Sequence, residues 1–268
     1  MTVAAASPSK AQSGPSSVRL VEIFSSIQGE GILVGRRQVF IRTYGCNLRC
    51  TYCDSPETLK ESGTPATCRI ESRPGTWKFH HIPNPVTAAA LVSITCDMAK
   101  SAPHHSVSIT GGEPLLHAGF WKKCLPEIRA AGLKVFLETN GLLPNHLNRV
   151  VELLDYISMD LKPPSATGLS ASATWETHAA FLRIASRTNV YVKCVITPST
   201  SDIEIDQGIE LIRTVDASIP LILQPVTPFG SERAAVSPER LIGLHARASQ
   251  YLQDVRVIPQ THKMINLI

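Results

Sequence analysis

No stretch of this 268-residue chain approaches the run of about eighteen apolar residues that a membrane-spanning helix needs. No block of five or more like charges occurs and the net charge is only +4, so nothing resembles a nucleic-acid-binding arm. A small anionic ligand accounts for a surplus of that size, and so does chance. A signal-peptide pattern is also missing, and the seven cysteines are an odd number. Both facts argue against a disulfide framework and for a reducing compartment, the cytoplasm. Residues 1–17 lack acids and arginine and are mostly Ala, Ser, Pro and Gly, a composition that cannot bury enough surface to order itself. A disordered tail is expected there, followed by one domain over residues 18–268. Within that domain an apolar content of 43% and a charged content of 18% are ordinary for a globular protein.

Three of the seven cysteines, Cys46, Cys50 and Cys53, fall inside eight residues with the spacing C-x3-C-x2-C. Thiolates that close in sequence can wrap one soft metal centre, and a [4Fe–4S] cluster held by only three of them keeps one iron open to another ligand. An open position at a metal centre usually means chemistry rather than scaffolding. A structural zinc needs a fourth Cys or His, and the nearest cysteine, Cys68, lies fifteen residues beyond Cys53. On spacing, a cluster ranks ahead of zinc, and unrelated buried thiols come third.

Around this loop the chain divides readily. Val18 to Phe24 reads as a strand, the glycine-flanked loop 25–31 follows, and Gln38 to Tyr44 is a strand that delivers the cysteine loop from its carboxyl end. Residues 59–85 have no helical period and read as an insertion, with Thr67 to Glu71 and Thr76 to His81 pairing as a hairpin. Its His80-His81 pair is expected to be exposed rather than metal-bound. Helices are then expected over 87–100, 117–131, 147–154, 175–186, 201–215 and 237–252, alternating with strands over 105–109, 134–138, 156–159, 189–196 and 220–224. With the strand before the cysteine loop this gives about six strand–helix repeats, the pattern of parallel strands joined by crossovers. Most of these strands end in polar or glycine clusters: Gly111-Gly112-Glu113, Thr139-Asn140, Asp160 with Lys162, and Gln224. In a barrel such ends converge on one mouth, so the expected fold is α/β, an incomplete (β/α)6 barrel of the TIM type. Cys96, Cys124 and Cys194 are expected to be small core residues.

At that mouth, Gly-Gly-Glu-Pro offers backbone carbonyls and a carboxylate, which suit an α-amino group. Asn140 and the Asp160/Lys162 pair offer contacts for a carboxylate, a ribose or a base edge. Taken with the cysteine spacing, these features resemble the radical S-adenosylmethionine (SAM) superfamily. The resemblance implies that Cys46, Cys50 and Cys53 hold the cluster and that its open iron chelates the methionyl group. The cluster's electron then cleaves the sulfonium bond, and a 5′-deoxyadenosyl radical abstracts hydrogen. It further implies that Tyr52 packs near adenine, and that Gly111, Gly112, Glu113, Asn140, Asp160, Lys162 and Gln224 surround the cofactor.

A narrower resemblance runs from Glu22 to Lys263: Glu-Ile-Phe-x-Ser-Ile-Gln-Gly-Glu-Gly, Cys-Asp-Ser, Glu-Thr-Asn-Gly, Lys-Pro-Pro-Ser and Pro-Gln-Thr-His-Lys are similar to the 7-carboxy-7-deazaguanine synthase family. This implies a lyase of queuosine and deazapurine biosynthesis that converts 6-carboxy-5,6,7,8-tetrahydropterin to 7-carboxy-7-deazaguanine with loss of ammonia. Ile27, Gln28, Gly29, Glu30, Arg42, Thr110 and His262 are then implied to hold the pterin, and the Ser55 hydroxyl a Mg²⁺ ion, with Asp54 the second choice. Many family members carry Thr at the position of Ser55, and Ser-Pro-Lys where this chain has Asp160-Leu161-Lys162. A reducing partner such as flavodoxin or ferredoxin and a homodimer are implied as well. Two other readings stand beside this one: an activase that makes a glycyl radical on a partner protein, and a zinc-stabilised binding module.

Overall fold

The computed structural model describes residues 16–59, 63–229 and 232–267. The chain opens with strands β1 (Ser17–Val18), β2 (Leu20–Ile27) and β3 (Arg37–Thr43), followed by the hairpin β4 (Thr67–Glu71) and β5 (Phe79–Pro83) and the short β6 (Val86–Thr87). Strand and helix then alternate: α1 (Ala88–Ser101), β7 (Ser106–Gly111), α2 (Ala118–Ala130), β8 (Val135–Thr139), α3 (Pro144–Leu147), β9 (Tyr156–Leu161), α4 (Pro164–Thr167), α5 (Ala171–Ala185) and β10 (Asn189–Ile196). The last elements are α6 (Asp202–Asp216), β11 (Leu221–Pro225), α7 (Pro238–Ala248), β12 (Val255–Val257) and α8 (Thr261–Met264).

Ten strands form one sheet in the order β12-β11-β10-β9-β8-β7-β3-β2-β4-β5. From β3 through β12 every neighbouring pair is parallel. Each crossover steps in the same direction, as in a barrel, whereas a doubly wound sheet reverses at a switch point. With β12 and β5 as its two edges the sheet is not closed, which is the incomplete barrel expected. β2 adds to β3 antiparallel, and the hairpin continues the sheet through β4, parallel to β2. The insertion is thus an extension of the main sheet, a long-range pairing that nothing local in the sequence announces.

Side chains along a strand alternate between two faces, and here the two faces differ in kind. Val107 and Ile109 of β7, Val135 and Leu137 of β8, Ile157 and Met159 of β9, and Val192 and Cys194 of β10 all belong to the large apolar core shared with the helices. Their alternates face inward. Some form a small plug, in which Phe136, Tyr191 and Ile222 pack on Leu33. Others are polar: Ser106 and Ser108 of β7, with Gln38 of the neighbouring β3, are all fully buried, and Gln38 Nε2 donates to Ser106 Oγ at 2.8 Å. Parallel strands covered on both sides are usually apolar on both faces. A polar inner face therefore marks the place where this fold binds something.

Several boundaries differ from expectation. β2 runs on to Ile27, so Ser25 to Ile27 are strand rather than loop. Ser17 already pairs with Thr87, while residues 1–15 of the expected tail lie outside the described residues. The helix expected over 147–154 is broken into α3 and a turn of 3-10 helix at Val151–Leu153. Its apolar residues Leu147, Val150, Val151 and Leu154 are still buried, but β-branched Val150 leaves helical geometry, at φ −133°. α7 stops at Ala248, and β12 and α8 were not foreseen. His80 and His81 are exposed on β5, as expected.

Candidate active site

The cysteine loop leaves β3 through Gly45, at φ +92°. Its backbone is tied on both sides: Gly45 N–H donates to Thr58 O at 2.8 Å, and Glu113 N–H donates to Gly45 O at 2.7 Å. Glycine at position 112 makes this approach possible, since a Cβ there would lie 2.1 Å from Gly45 O. Arg49 then closes the loop by donating to the carbonyls of Cys46 (2.9 Å), Leu48 (2.7 Å) and Leu59 (3.3 Å). All three thiols are free, half-buried and open to one cavity of about 500 Å³. Burial raises the Cys46 and Cys53 thiols, opposed by the nearby backbone N–H groups of Leu48 and Ser55. Among the described residues no three His, Cys, Asp or Glu side chains are gathered as for a single metal ion. A [4Fe–4S] cluster with one open iron takes one thiolate on each of the other three, so three cysteines on one loop suffice for it. Cys68 cannot complete a zinc site, because it is fully buried in the apolar core on the helix side. The donor set fits a three-cysteine [4Fe–4S] cluster.

The wall facing this loop is built from strand ends. Tyr52 is buried under Lys162, whose ammonium stands 5.2 Å from the ring centre, and its hydroxyl has no partner among the described residues. Gln224 likewise leaves its buried Oε1 unpaired at the cavity wall. Asn140 Nδ2 donates to Asn47 Oδ1 at 2.8 Å, joining the end of β8 to the cysteine loop. Asp160 accepts from Lys162 at 2.8 Å through one oxygen and is 3.2 Å from Lys193 Nζ through the other. Burial alone would raise its carboxyl most, yet the two lysines outweigh it and hold Asp160 ionised below the usual range. Lys193 is also paired with Glu30. Burial is the strongest single influence on this lysine, but Asp160 and Glu30 together keep it charged well above the ordinary range.

The loop after β2 enters the cavity beside Glu138. Gln28 Nε2 donates to Glu138 Oε1 at 2.8 Å, and Thr110 Oγ1 donates to Glu138 Oε2 at 3.1 Å. Burial, then the nearby Glu30, raises the Glu138 carboxyl. The tail closes over this loop: Thr261 N–H donates to Gly29 O at 2.9 Å, and the His262 ring lies where a Cβ on Gly29 would sit. Gln260 Nε2 donates both to Glu30 (2.7 Å) and to Asp54 (3.0 Å), and Lys263 donates to Asp54 at 2.7 Å. Burial pushes the Asp54 carboxyl up, but Lys263 and Gln260 outweigh it and bring it to about 2.

The fold brings almost all of the expected residues to this one cavity: Ile27, Gln28, Gly29, Glu30, Arg42, Thr110, His262, Tyr52, Gly111, Gly112, Asn140, Asp160, Lys162, Gln224, Ser55 and the three cysteines line it. Glu113 is the correction. It is fully buried beneath the wall, where its carboxylate accepts from Leu115 N, Thr139 Oγ1 and Asn140 N at 2.8–2.9 Å, and burial raises it to about 7. It holds the ends of β7 and β8 together instead of facing a ligand. Glu138, Lys193, Gln260, Lys263 and Arg69 line the cavity without having been singled out. A signal existed for Lys193, a lone charge in the apolar run of β10, and for Glu138, at the head of Glu-Thr-Asn-Gly.

Residues 40–212 match the radical SAM superfamily. Over 249 residues, 92% of this chain and 96% of the relative, the sequence is 44% identical to a 7-carboxy-7-deazaguanine synthase of Geobacter sulfurreducens. A protein of the same name from Methanothermobacter thermautotrophicus is 37% identical over 265 residues, covering 92% of this chain and 97% of its own. Among solved structures, QueE from Escherichia coli superposes with a TM-score of 0.59 at 19% identity, over 91% of this chain and 94% of that one. At that identity the likeness speaks for the fold alone.

Proposed function

Because the chain belongs to the radical SAM superfamily and, within it, to the 7-carboxy-7-deazaguanine synthase family, we propose that it converts 6-carboxy-5,6,7,8-tetrahydropterin to 7-carboxy-7-deazaguanine with loss of ammonia, in queuosine or related deazapurine biosynthesis. The observation that carries this reading is the meeting, in one cavity, of the cysteine loop with the Gln28–Glu30 loop, Arg42 and the tail at His262. The glycyl-radical activase reading has no use for that enclosed second half, whereas a small ring system fills it.

Cys46, Cys50 and Cys53 would hold the cluster. When bound, it and SAM supply the electron and the hydrogen-atom abstraction. The chain's own groups bind and orient. The carbonyls around Gly111 and Gly112 suit the cofactor's amino group, Asn140 and Lys162 its ribose and carboxylate, and Tyr52 its adenine. On the other side, the amide of Gln28 and the carboxyls of Glu30 and Glu138 suit a pterin ring rich in N–H and carbonyl groups, and the planar fork of Arg42 suits the carboxylate. The Asp54 carboxylate is already engaged by Lys263 and Gln260 through one oxygen and accepts from the Ser55 hydroxyl at 3.5 Å through the other, which leaves the Ser55 oxygen as the protein ligand for Mg²⁺. Such an ion accepts few protein ligands when substrate and water complete its shell. Among the described residues no helix is long and apolar enough to cross a membrane. The family resemblance further implies a cytoplasmic homodimer reduced by a flavodoxin or ferredoxin.

Anaerobic incubation of reconstituted protein with reductant, SAM, Mg²⁺ and the carboxytetrahydropterin should yield 5′-deoxyadenosine and the deazapurine, while Cys50→Ala should yield neither. Wild-type protein that cleaves SAM but forms no deazapurine would sink the substrate and leave the superfamily assignment intact.

A further inference from the structure

No step of the proposed reaction uses the hairpin β4–β5, yet its Arg69 lines the cavity. β4 pairs with β2 so that Arg69 stands opposite Glu22; Glu22 stands opposite Arg42, and Arg42 opposite Thr110. Residues in register on neighbouring strands point to the same face. The four therefore form a single row across the inner face, running from the hairpin to the Thr110–Glu138 contact at 3.1 Å.

Within that row one buried carboxylate serves two guanidiniums. The Glu22 side chain is 5% exposed; one oxygen accepts from Arg42 Nε at 2.9 Å and the other from an Nη of Arg69. Among the described residues neither arginine side chain donates a hydrogen bond to any other group. Two positive charges against one negative leave a surplus of one, and each fork keeps N–H groups to spare. The Arg69 guanidinium also lies over the Phe79 ring, 4.5 Å from its centre, which fixes its plane from the hairpin side. Arg42, 18% exposed, is the inner of the two, and Arg69, 45% exposed, stands at the rim. Paired forks with spare donors and surplus charge match a two-oxygen anion.

We propose that Arg69 is a second anchor for the substrate's carboxylate, acting beside Arg42, with Glu22 as the positioning residue that holds the two forks together. The inference rests on the pterin reading and deepens it. It gives the insertion a purpose, which is to select carboxylated pterins over uncharged ones.

The test uses the cluster-loaded enzyme under anaerobic conditions. Turnover of the carboxytetrahydropterin gives the Michaelis constant for the acid, and inhibition of that turnover by the uncharged hydroxymethyl analogue gives the affinity for the same ring without its carboxylate. Equilibrium titration with SAM serves as the control. Arg69→Gln should raise the Michaelis constant for the carboxylated substrate on the order of tenfold while leaving the hydroxymethyl compound and SAM within about twofold of wild type. Arg69→Lys should recover part of the loss. Equal weakening of both pterins would mean that Arg69 only fastens the hairpin, and no weakening of either would mean that it faces no ligand; both results overturn the proposal. Wild-type enzyme that does not turn over the carboxytetrahydropterin overturns the pterin reading itself, and Arg69's ligand with it, before any variant is made.

Discussion

Lys193 is the only charged side chain of β10, and it stands between the carboxylates of Glu30 and Asp160 with 8% of its side chain exposed. Removing it leaves two largely buried carboxylates facing each other, and breaking a buried ion pair in this way costs about 3–5 kcal/mol. Lys193→Met should therefore shift the denaturant midpoint strongly, and Lys193→Arg should restore most of it. His178 illustrates a different kind of control. Its Nε2 accepts from the Lys162 N–H at 3.1 Å, so the proton must sit on Nδ1, which donates to Gly141 O at 3.1 Å. In this way α5 fastens the ends of β8 and β9 from behind. Burial lowers the ring from 6.5 to about 4, so between those values the unfolded chain binds a proton that the folded chain does not. Stability from this group is full above pH 6.5 and is lost as pH falls towards 4. The advantage of wild type over His178→Gln in unfolding free energy should shrink across that window, and a pH-independent difference would contradict the assignment.

Among the elements, α6 shows how a local signal can reach the site. Ser201 Oγ accepts from the Glu204 N–H while the Glu204 carboxylate accepts from Ser201 N at 3.0 Å, a full capping box. Ser201→Ala should cost about 1 kcal/mol. Glu204→Ala should cost more, because the same carboxylate also accepts from Ser165 N and Oγ at 2.8 and 2.9 Å and so fixes the turn just past Lys162. Chemical denaturation of the two variants side by side gives the order. The start of this helix was legible because the whole device lies within four residues, Ser201 to Glu204. The break at Val150 was not, since an apolar period shows which residues are buried but not whether the backbone between them stays helical. Nor could the hairpin's place be read, because the pairing of Glu22 with Arg69 spans 47 residues and has no local signature.

In the molecule as a whole, the motifs were readable one by one, because glycine pairs, lone charges and cysteine spacing carry their chemistry with them. Their convergence on one mouth followed from the strand–helix rhythm, since a sheet wound in a single direction brings all its carboxyl ends together. What escaped is the network inside the mouth. The links from Gln260 to Glu30 and to Asp54 join segments 230 and 206 residues apart. Gln260→Leu, which removes both, should weaken the pterin's Michaelis constant several-fold while leaving SAM binding and cluster absorbance unchanged, a split that separate titrations would reveal. That long link also has a meaning in time. During synthesis β3, the cysteine loop and β7 are made well before residues 260–267, so the segment that covers Gly29 is the last part of this cavity wall to be added.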